Sequence, residues 1–241
     1  MWRPGWGDAT IVLMAKTKKQ AKSTADKASS AGSFTRALEA GKGFVLADRD
    51  PRSTPGYDGD KAAGAAFLAE TVLELGDLQE LLYAESRVDG TRALLLVVQG
   101  MDTSGKGGIM RHVVGSVDPQ GVSYTAFKAP TREEQAHPFL WRIRNALPRP
   151  GQIGVFDRSH YEDVLIARVH NLVPPATWGR RYGQINTFEH TVTAAGTTIV
   201  KVMLHISRDA QKARLSARLD GPNKHWKYNP ADVDERERWP A

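Results

Sequence analysis

The chain has 241 residues, 41% of them hydrophobic and 25% charged, with a formal net charge of +6 and no cysteine. This length can bury one sizeable core, the lack of thiols excludes disulfides and thiolate metal sites, and no apolar run approaches the ~20 residues of a membrane span. The positive excess favours an anionic partner: nucleic acid, a nucleotide or an inorganic polyanion.

At the N-terminus, Ile11-Val12-Leu13-Met14-Ala15 is too short for the apolar core of a signal peptide, so a cytoplasmic location is the default. From Lys16 to Ser33 the composition is mainly Lys, Ala, Ser and Thr, with few large apolar groups to order the segment. Residues 1–33 are therefore expected to be a disordered basic tail, and residues 34–241 a folded domain. Phe44 to Tyr57 contains Pro51, Pro55 and Gly56 and reads as an extended, turn-rich approach. Lys61–Glu85 is predicted to be a helix, with Phe67, Leu68, Val72, Leu75, Leu78, Leu81 and Leu82 on a broad apolar face. Ala93–Val98 is apolar throughout, as in a parallel strand buried on both faces.

That strand leads into Gly100-Met101-Asp102-Thr103-Ser104-Gly105-Lys106-Gly107-Gly108. Gly100, Gly105 and Lys106 have the spacing of a phosphate-binding P-loop, and a helix is predicted from about Lys106 to Ser116. Such a loop turns successive backbone N–H groups toward an anion, with the helix dipole behind them. Gly100, Thr103, Ser104, Gly105 and Gly107 are the phosphate-facing positions, and Lys106 reaches the outer phosphates as a point charge. Ordinary P-loops carry Ser or Thr after the lysine to hold Mg²⁺, whereas Gly107 stands here. Asp102 inside the loop would be repelled by a phosphate unless a cation lay between them. It is read as a ligand on the metal or substrate side. A glycine-lysine loop alone is an ordinary turn; the strand before it and the helix after it favour the phosphate reading.

Downstream, Asp118–Gly121 is a turn and Val122–Phe127 a strand. Thr131 and Glu134 form a capping box that opens a helix carrying Phe139, Leu140, Trp141, Ile143 and Leu147 and ending at Pro148. Gln152–Phe156 is the next strand, followed by Asp157-Arg158-Ser159-His160-Tyr161-Glu162-Asp163. Ligands of open α/β sheets sit at the carboxyl ends of strands. Asp157 is thereby placed beside the loop to hold Mg²⁺, and Arg158 to offset charge on a transferring phosphoryl group. His160 fits a packed, hydrogen-bonded residue at a helix start better than a ligand. Glu162 and Asp163 suit the first turn of a helix. Thr177–Ala195 is a helix stopped by Gly196, and Thr198–Ile206 is a β-branched strand. Ser207 caps a basic helix, Arg208–Leu219, in which Arg214 and Arg218 share a face. Arg208, Arg214 and Arg218 read as a basic lid over phosphate, spanning about 207–230. Strands alternating with helices behind a P-loop predict an α/β fold: a P-loop kinase-like, doubly wound parallel sheet with a helical basic lid.

The motifs GMDTSGKGG (100–108), FKAPT (127–131), FLWR (139–142), FDRSHYEDVL (156–165), RVHNLVP (168–174), LHISRDAQ (204–211) and ARLDGPNKHWK (217–227), with LADRDP (46–51), resemble the polyphosphate kinase 2 family over roughly residues 44–239. The resemblance makes Gly107 and Asp102 family features. It implies a P-loop phosphotransferase domain over 34–241 and Mg²⁺-dependent transfer between inorganic polyphosphate and a nucleoside mono- or diphosphate such as AMP or ADP. It implies a homo-oligomer, with no membrane and no specific nucleic-acid partner. Asp102, Lys106, Asp157 and Arg158 are then catalytic, with Asp102 and Asp157 at the metal. Arg111, Lys128, Arg132 and Arg142 are candidates for a polyphosphate track. The SHYEDVL wording leans toward use of both AMP and ADP. The family pattern continues past Trp239, so the resemblance also implies an incomplete C-terminal end. Two other readings stand beside it: an ATP-dependent P-loop kinase of a small acceptor, and a non-catalytic polyanion-binding relative.

Overall fold

The computed structural model describes residues 9–15, 35–227 and 229–239. Its sheet has five strands in the order β1-β5-β2-β4-β3. They are β1 (Ala9–Ala15), β2 (Ala93–Gly100), β3 (Val122–Ala126), β4 (Ile153–Asp157) and β5 (Thr197–Ile206). β2 pairs in parallel with β4 and β5, and β3 pairs in parallel with β4. β1 lies antiparallel on the outer edge of β5, with Ala9 opposite Ile206 and Ala15 opposite Val200. This corrects one expectation, because residues 9–15 had been assigned to the tail. Ile11, Val12 and Leu13 are strand formers, and β5 otherwise presents an unpaired backbone edge. Residues 16–33 lie outside the described residues.

The helices are α1 (Lys61–Glu85), α2 (Lys106–His112), α3 (Arg132–Gln135), α4 (Trp141–Asn145), α5 (Glu162–Val169), α6 (Pro175–Ala194), α7 (Arg208–Asp220) and α8 (Ala231–Glu237). The strand pleat sends alternate side chains to opposite faces. Leu95, Val97, Phe156 and Ile199 pack with Leu140 and Ile143 at α4 and with Phe188 and Val192 of α6. Val98, Val202 and Leu204 pack on the other side with Ile109 of α2. Helices thus cover both faces of the parallel strands, as the sequence predicts for a doubly wound sheet.

Two helix expectations change. The segment 131–147 is two short helices, because Pro138 lacks an N–H and disfavours helical geometry at His137. The capping box is present: Glu134 N–H donates to Thr131 Oγ1 at 3.2 Å and Thr131 N–H to Glu134 Oε2 at 2.7 Å. On α1 the packed face is narrower than its apolar pattern suggests. Leu78 and Leu81 are exposed, and within the helix Gln79 is the buried residue, its amide donating to the Asp118 carbonyl at 3.4 Å.

Candidate active site

The site lies where β2 and β4 end side by side. Val98 of β2 is paired with Asp157, the last residue of β4, and the Arg158 N–H donates to the Val98 carbonyl at 3.0 Å. The loop from Gly100 to Gly105 rises from the end of β2 and enters α2 at Lys106. At Gly100 a Cβ would come within 2.9 Å of the Leu204 Cβ on β5 and 2.5 Å of Ser104 Oγ. Gly105 has φ 116° at the N-cap of α2, a conformation glycine adopts without steric cost. A Cβ at Gly107 would meet nothing within 4 Å, so crowding does not impose that glycine.

Backbone strain concentrates here. Thr103 has φ 64° and Arg158 φ 63°, in the left-handed region that side chains, β-branched ones above all, rarely occupy. Such residues persist when the surroundings over-determine them. For Thr103 the surroundings include α7: Arg214 donates to its carbonyl at 2.8 Å, and Gln211 donates to the Asp102 carbonyl at 3.2 Å. The Ser207 hydroxyl caps α7, accepting from the Ala210 N–H at 3.1 Å. For Arg158, the following residues are anchored below the site. Ser159 and His160 are fully buried, and His160 Nε2 meets Glu189 Oε1 at 3.2 Å. Glu189 also accepts from the Tyr161 hydroxyl at 2.6 Å and from Lys201 Nζ at 2.8 Å.

Charges converge on the loop. Lys106 Nζ folds over it, donating to the carbonyls of Gly100 at 2.5 Å and Met101 at 3.2 Å. Burial pushes its ammonium below its ordinary pKa; Asp102 raises it, Arg158 lowers it further, and Asp157 and Glu162 raise it. Arg158 reaches Asp102 Oδ1 at 3.3 Å. Asp157 accepts from the Tyr124 hydroxyl at 3.2 Å. Burial raises the Glu162 carboxyl, against the pull of Arg158, Lys106 and a hydrogen bond from Gln99. With its amide nitrogen toward that carboxylate, Gln99 donates to Glu162 Oε1 at 2.9 Å and accepts from the Ser159 N–H at 3.1 Å, which satisfies both ends of the amide. Among the described residues, Thr103 Oγ1 and Ser104 Oγ are buried hydroxyls without a hydrogen-bond partner. Both belong to the loop, so its polar capacity is not closed internally.

Asp102, Lys106, Asp157 and Arg158 are therefore brought together with Gly100, Thr103, Ser104, Gly105 and Gly107. The outer basic residues divide. Arg214 touches the loop. Arg218 is engaged by Asp232 of α8 at 2.9 Å and by the Lys227 carbonyl at 3.1 Å. Arg111, Lys128, Arg132 and Arg208 are exposed. Arg142 leaves the polyphosphate track: it is buried, donating to the Lys128 carbonyl at 2.9 Å and to Asp163 Oδ2 at 3.3 Å. A guanidinium enclosed by protein acceptors brackets chain segments and has little capacity left for a polyanion.

Sequence reasoning missed Gln99, Tyr124, Glu162, Glu189 and Gln211 as parts of this region. Two had a signal. Gln99 is the polar residue in an otherwise apolar strand, and Gln211 lies three residues before Arg214, on the same helix face. Glu189 had none, because its partners come from β5 and from the turn after β4.

A cavity of about 430 Å³ runs along β3 and the end of the α4 segment, lined by Ser123, Thr125, Arg142, Asn145, Arg149 and Gln152. No helix among the described residues is long and apolar enough to cross a membrane.

Similarity to known proteins points to one family. The family model described as Polyphosphate kinase 2 matches residues 58–241. An AMP/ADP-polyphosphate phosphotransferase of Meiothermus ruber is 45% identical over 196 residues, covering 81% of this chain and 72% of the relative. An ADP-polyphosphate phosphotransferase of Rhodopseudomonas palustris is 45% identical over 185 residues, covering 72% of this chain but 63% of the relative. The crystal structure of Polyphosphate Kinase 2 from Arthrobacter aurescens TC1 superposes with a TM-score of 0.83 at 56% identity, covering 86% of this chain and 73% of that one.

Proposed function

The chain belongs to the polyphosphate kinase 2 family, and we propose from that premise that it moves a phosphoryl group between inorganic polyphosphate and a nucleoside mono- or diphosphate, AMP and ADP included. One observation carries the reading at residue level. Lys106 and Arg158 flank a loop with two unpartnered buried hydroxyls, beside the carboxylates of Asp102 and Asp157.

Phosphoryl transfer asks a protein for positioning and charge compensation more than for a covalent group. The backbone N–H groups at the start of α2 and the hydroxyls of Thr103 and Ser104 would hold phosphate oxygens. Lys106 would exchange its two carbonyl contacts for phosphate oxygens, a stronger charge-assisted bond. Arg158, now on Asp102, is placed to follow charge as it develops on the transferring group. Arg214 and Gln211 would keep the loop carbonyls turned away from the anion.

Asp102 and Asp157 would hold Mg²⁺. The donor type fits, because the carboxylates of Asp102 and Asp157, both felt by Lys106, offer the hard oxygen ligands Mg²⁺ prefers. Mg²⁺ takes few protein oxygens and keeps water and phosphate oxygens as its other ligands. When bound, it would supply positive charge shared between phosphate oxygens. The same reading carries the expectation of a cytoplasmic homo-oligomer with no membrane or specific nucleic-acid partner; light scattering on the purified chain would check the oligomer.

The deciding experiment supplies polyphosphate, ADP and Mg²⁺ with no nucleoside triphosphate. ATP should form, whereas an ATP-dependent kinase of a small acceptor would make none and a non-catalytic polyanion binder would bind without turnover. Asp102→Asn and Asp157→Asn should each raise the Mg²⁺ needed for half-maximal rate. Unchanged titrations would make both carboxylates structural.

A further inference from the structure

Asp157 ends β4 between two strands whose adjoining side chains offer it nothing polar. Its paired residue is Val98 on β2 and Ala126 on β3. Two residues back on β3, Tyr124 shares the face of Ala126, because side chains alternate along a strand. Its hydroxyl donates to Asp157 Oδ2 at 3.2 Å, and among the described residues it is the one side chain that hydrogen-bonds this carboxylate. We propose that Tyr124 is a positioning residue for the metal ligand: by holding one oxygen of Asp157 it leaves the other for a divalent cation, and so favours Mg²⁺ over Ca²⁺. The inference rests on the reading of Asp157 as a metal ligand given above, and adds what orients that ligand and which ion it accepts.

Three features support it. The first is orientation. The last torsion of an aspartate side chain is broad and nearly two-fold. With Val98 and Ala126 on either side, nothing else in the sheet chooses between its settings. A phenol keeps its proton at neutral pH and an ionised carboxylate only accepts, so the bond has one direction and engages one oxygen.

The second is charge. Asp102 is also held through one oxygen, by Arg158 at 3.3 Å, but that partner is a cation and would repel a metal ion beside it. Tyr124 is neutral and can stay on Asp157 while a cation sits on the other oxygen. Its ring lies on the outer strand of the sheet and is 51% exposed. Phenylalanine would fill such a place as well, so the hydroxyl is the part that packing does not require.

The third is ion chemistry. Mg²⁺ is small, demands near-octahedral geometry and keeps several waters, whereas Ca²⁺ takes more oxygens and binds a carboxylate through one or both. A carboxylate with one oxygen already engaged suits Mg²⁺ and denies Ca²⁺ the two-oxygen grip.

The test uses the full chain and Mn²⁺ alone as the probe, its free fraction counted by electron paramagnetic resonance, with Mg²⁺ and Ca²⁺ as competitors. Tyr124→Phe should weaken Mn²⁺ and Mg²⁺ about tenfold, the scale of a lost hydrogen bond to a ligating group. Ca²⁺ should change little, so the preference for Mg²⁺ over Ca²⁺ falls by about tenfold. Parental Mg²⁺ affinity in the variant, or equal losses for both ions, overturns the proposal. Placed on top of Asp157→Asn, the tyrosine substitution should add nothing; a further loss of the same size shows that the hydroxyl acts elsewhere and overturns it too. The single Asp157→Asn variant separates this idea from the reading beneath it. If it loses Mn²⁺ while Tyr124→Phe does not, only the present inference falls. If it binds like the parent, or the parent retains no Mn²⁺, the metal reading falls and takes this inference with it. Circular dichroism checks folding, and should Tyr124→Phe not fold, Tyr124→Val, a strand former without a hydroxyl, is read in the same way.

Discussion

Two charged clusters lie one residue apart where the chain leaves β4. Asp157 and Arg158 join Asp102, Lys106 and Glu162 around the loop; beyond Ser159, His160 and Tyr161 join Glu189 and Lys201 beneath it. The residue types are nearly the same, but their coupling differs. In the lower cluster Glu189 accepts from three neighbours. Burial alone would raise its carboxyl, yet hydrogen bonds from His160, Lys201 and Tyr161 and the charge of Lys201 hold it at about 2. In the upper cluster two hydroxyls lack partners and the one ion pair, Arg158 to Asp102, is long and partly exposed. Around Glu189 the lower network is paired, with His160 Nδ1 its one buried atom lacking a partner among the described residues, whereas the upper cluster leaves two hydroxyls free for a ligand. The lower cluster anchors the residues that follow the strained Arg158, and the upper one is the cluster proposed above to meet phosphate.

The largest effect should come from breaking the paired network. Glu189→Gln leaves Lys201 without its countercharge and should cost about 3–5 kcal/mol of stability, or about 6–20 °C in Tm for a chain of this size. Removing both charges, in Glu189→Gln with Lys201→Met, should recover much of the loss in a thermal melt. The pH dependence has a definite sign. The Glu189 pKa is depressed on folding from its ordinary 4.5 to about 2, so its contribution is complete above about pH 4.5 and lost as pH falls through about 2. The stability gap between parent and Glu189→Gln should close over that window; a gap independent of pH would show that packing, not charge, is at stake.

Lys106→Ala should do the reverse, changing function and not fold. It removes a charge-assisted contact of about 2–3 kcal/mol, lowering turnover by about 30–150-fold, while Tm stays near that of the parent. A folded variant with parental turnover would exclude this role for Lys106.

Arg214→Ala lies between the clusters in kind, since Arg214 donates to the loop backbone at Thr103. Losing its hydrogen bond to the Thr103 carbonyl should cost about 1.5 kcal/mol in the rate, about tenfold in kcat, with little change in KM. A shift confined to KM would mean that Arg214 binds substrate directly.

The smallest effect sharpens the comparison at Gly107. Alanine meets open space there and should stabilise α2 by about 0.5–1 kcal/mol, read as a small rise in Tm. If turnover falls all the same, the backbone at Gly107 needs clearance for phosphate, and the open cluster extends one residue further into the helix.

What the sequence determined by itself is local. A strand running into Gly100-Met101-Asp102-Thr103-Ser104-Gly105-Lys106 specifies loop and helix because glycine positions, the apolar run and the lysine act within a few residues. Asp157 and Arg158 were legible for the same reason, as the end of an apolar strand, and the Thr131 capping box formed as written. Only the tertiary structure decided which distant groups complete the site. Gln211 and Arg214 reach loop carbonyls 109 and 111 residues away, and Glu189 reaches His160 across 29. It also decided that Arg142 brackets backbone, that Leu78 and Leu81 face solvent, and that residues 9–15 pair with β5. Periodicity records which residues share a face or an end of an element; what packs against that face is settled by the other elements the sheet brings alongside.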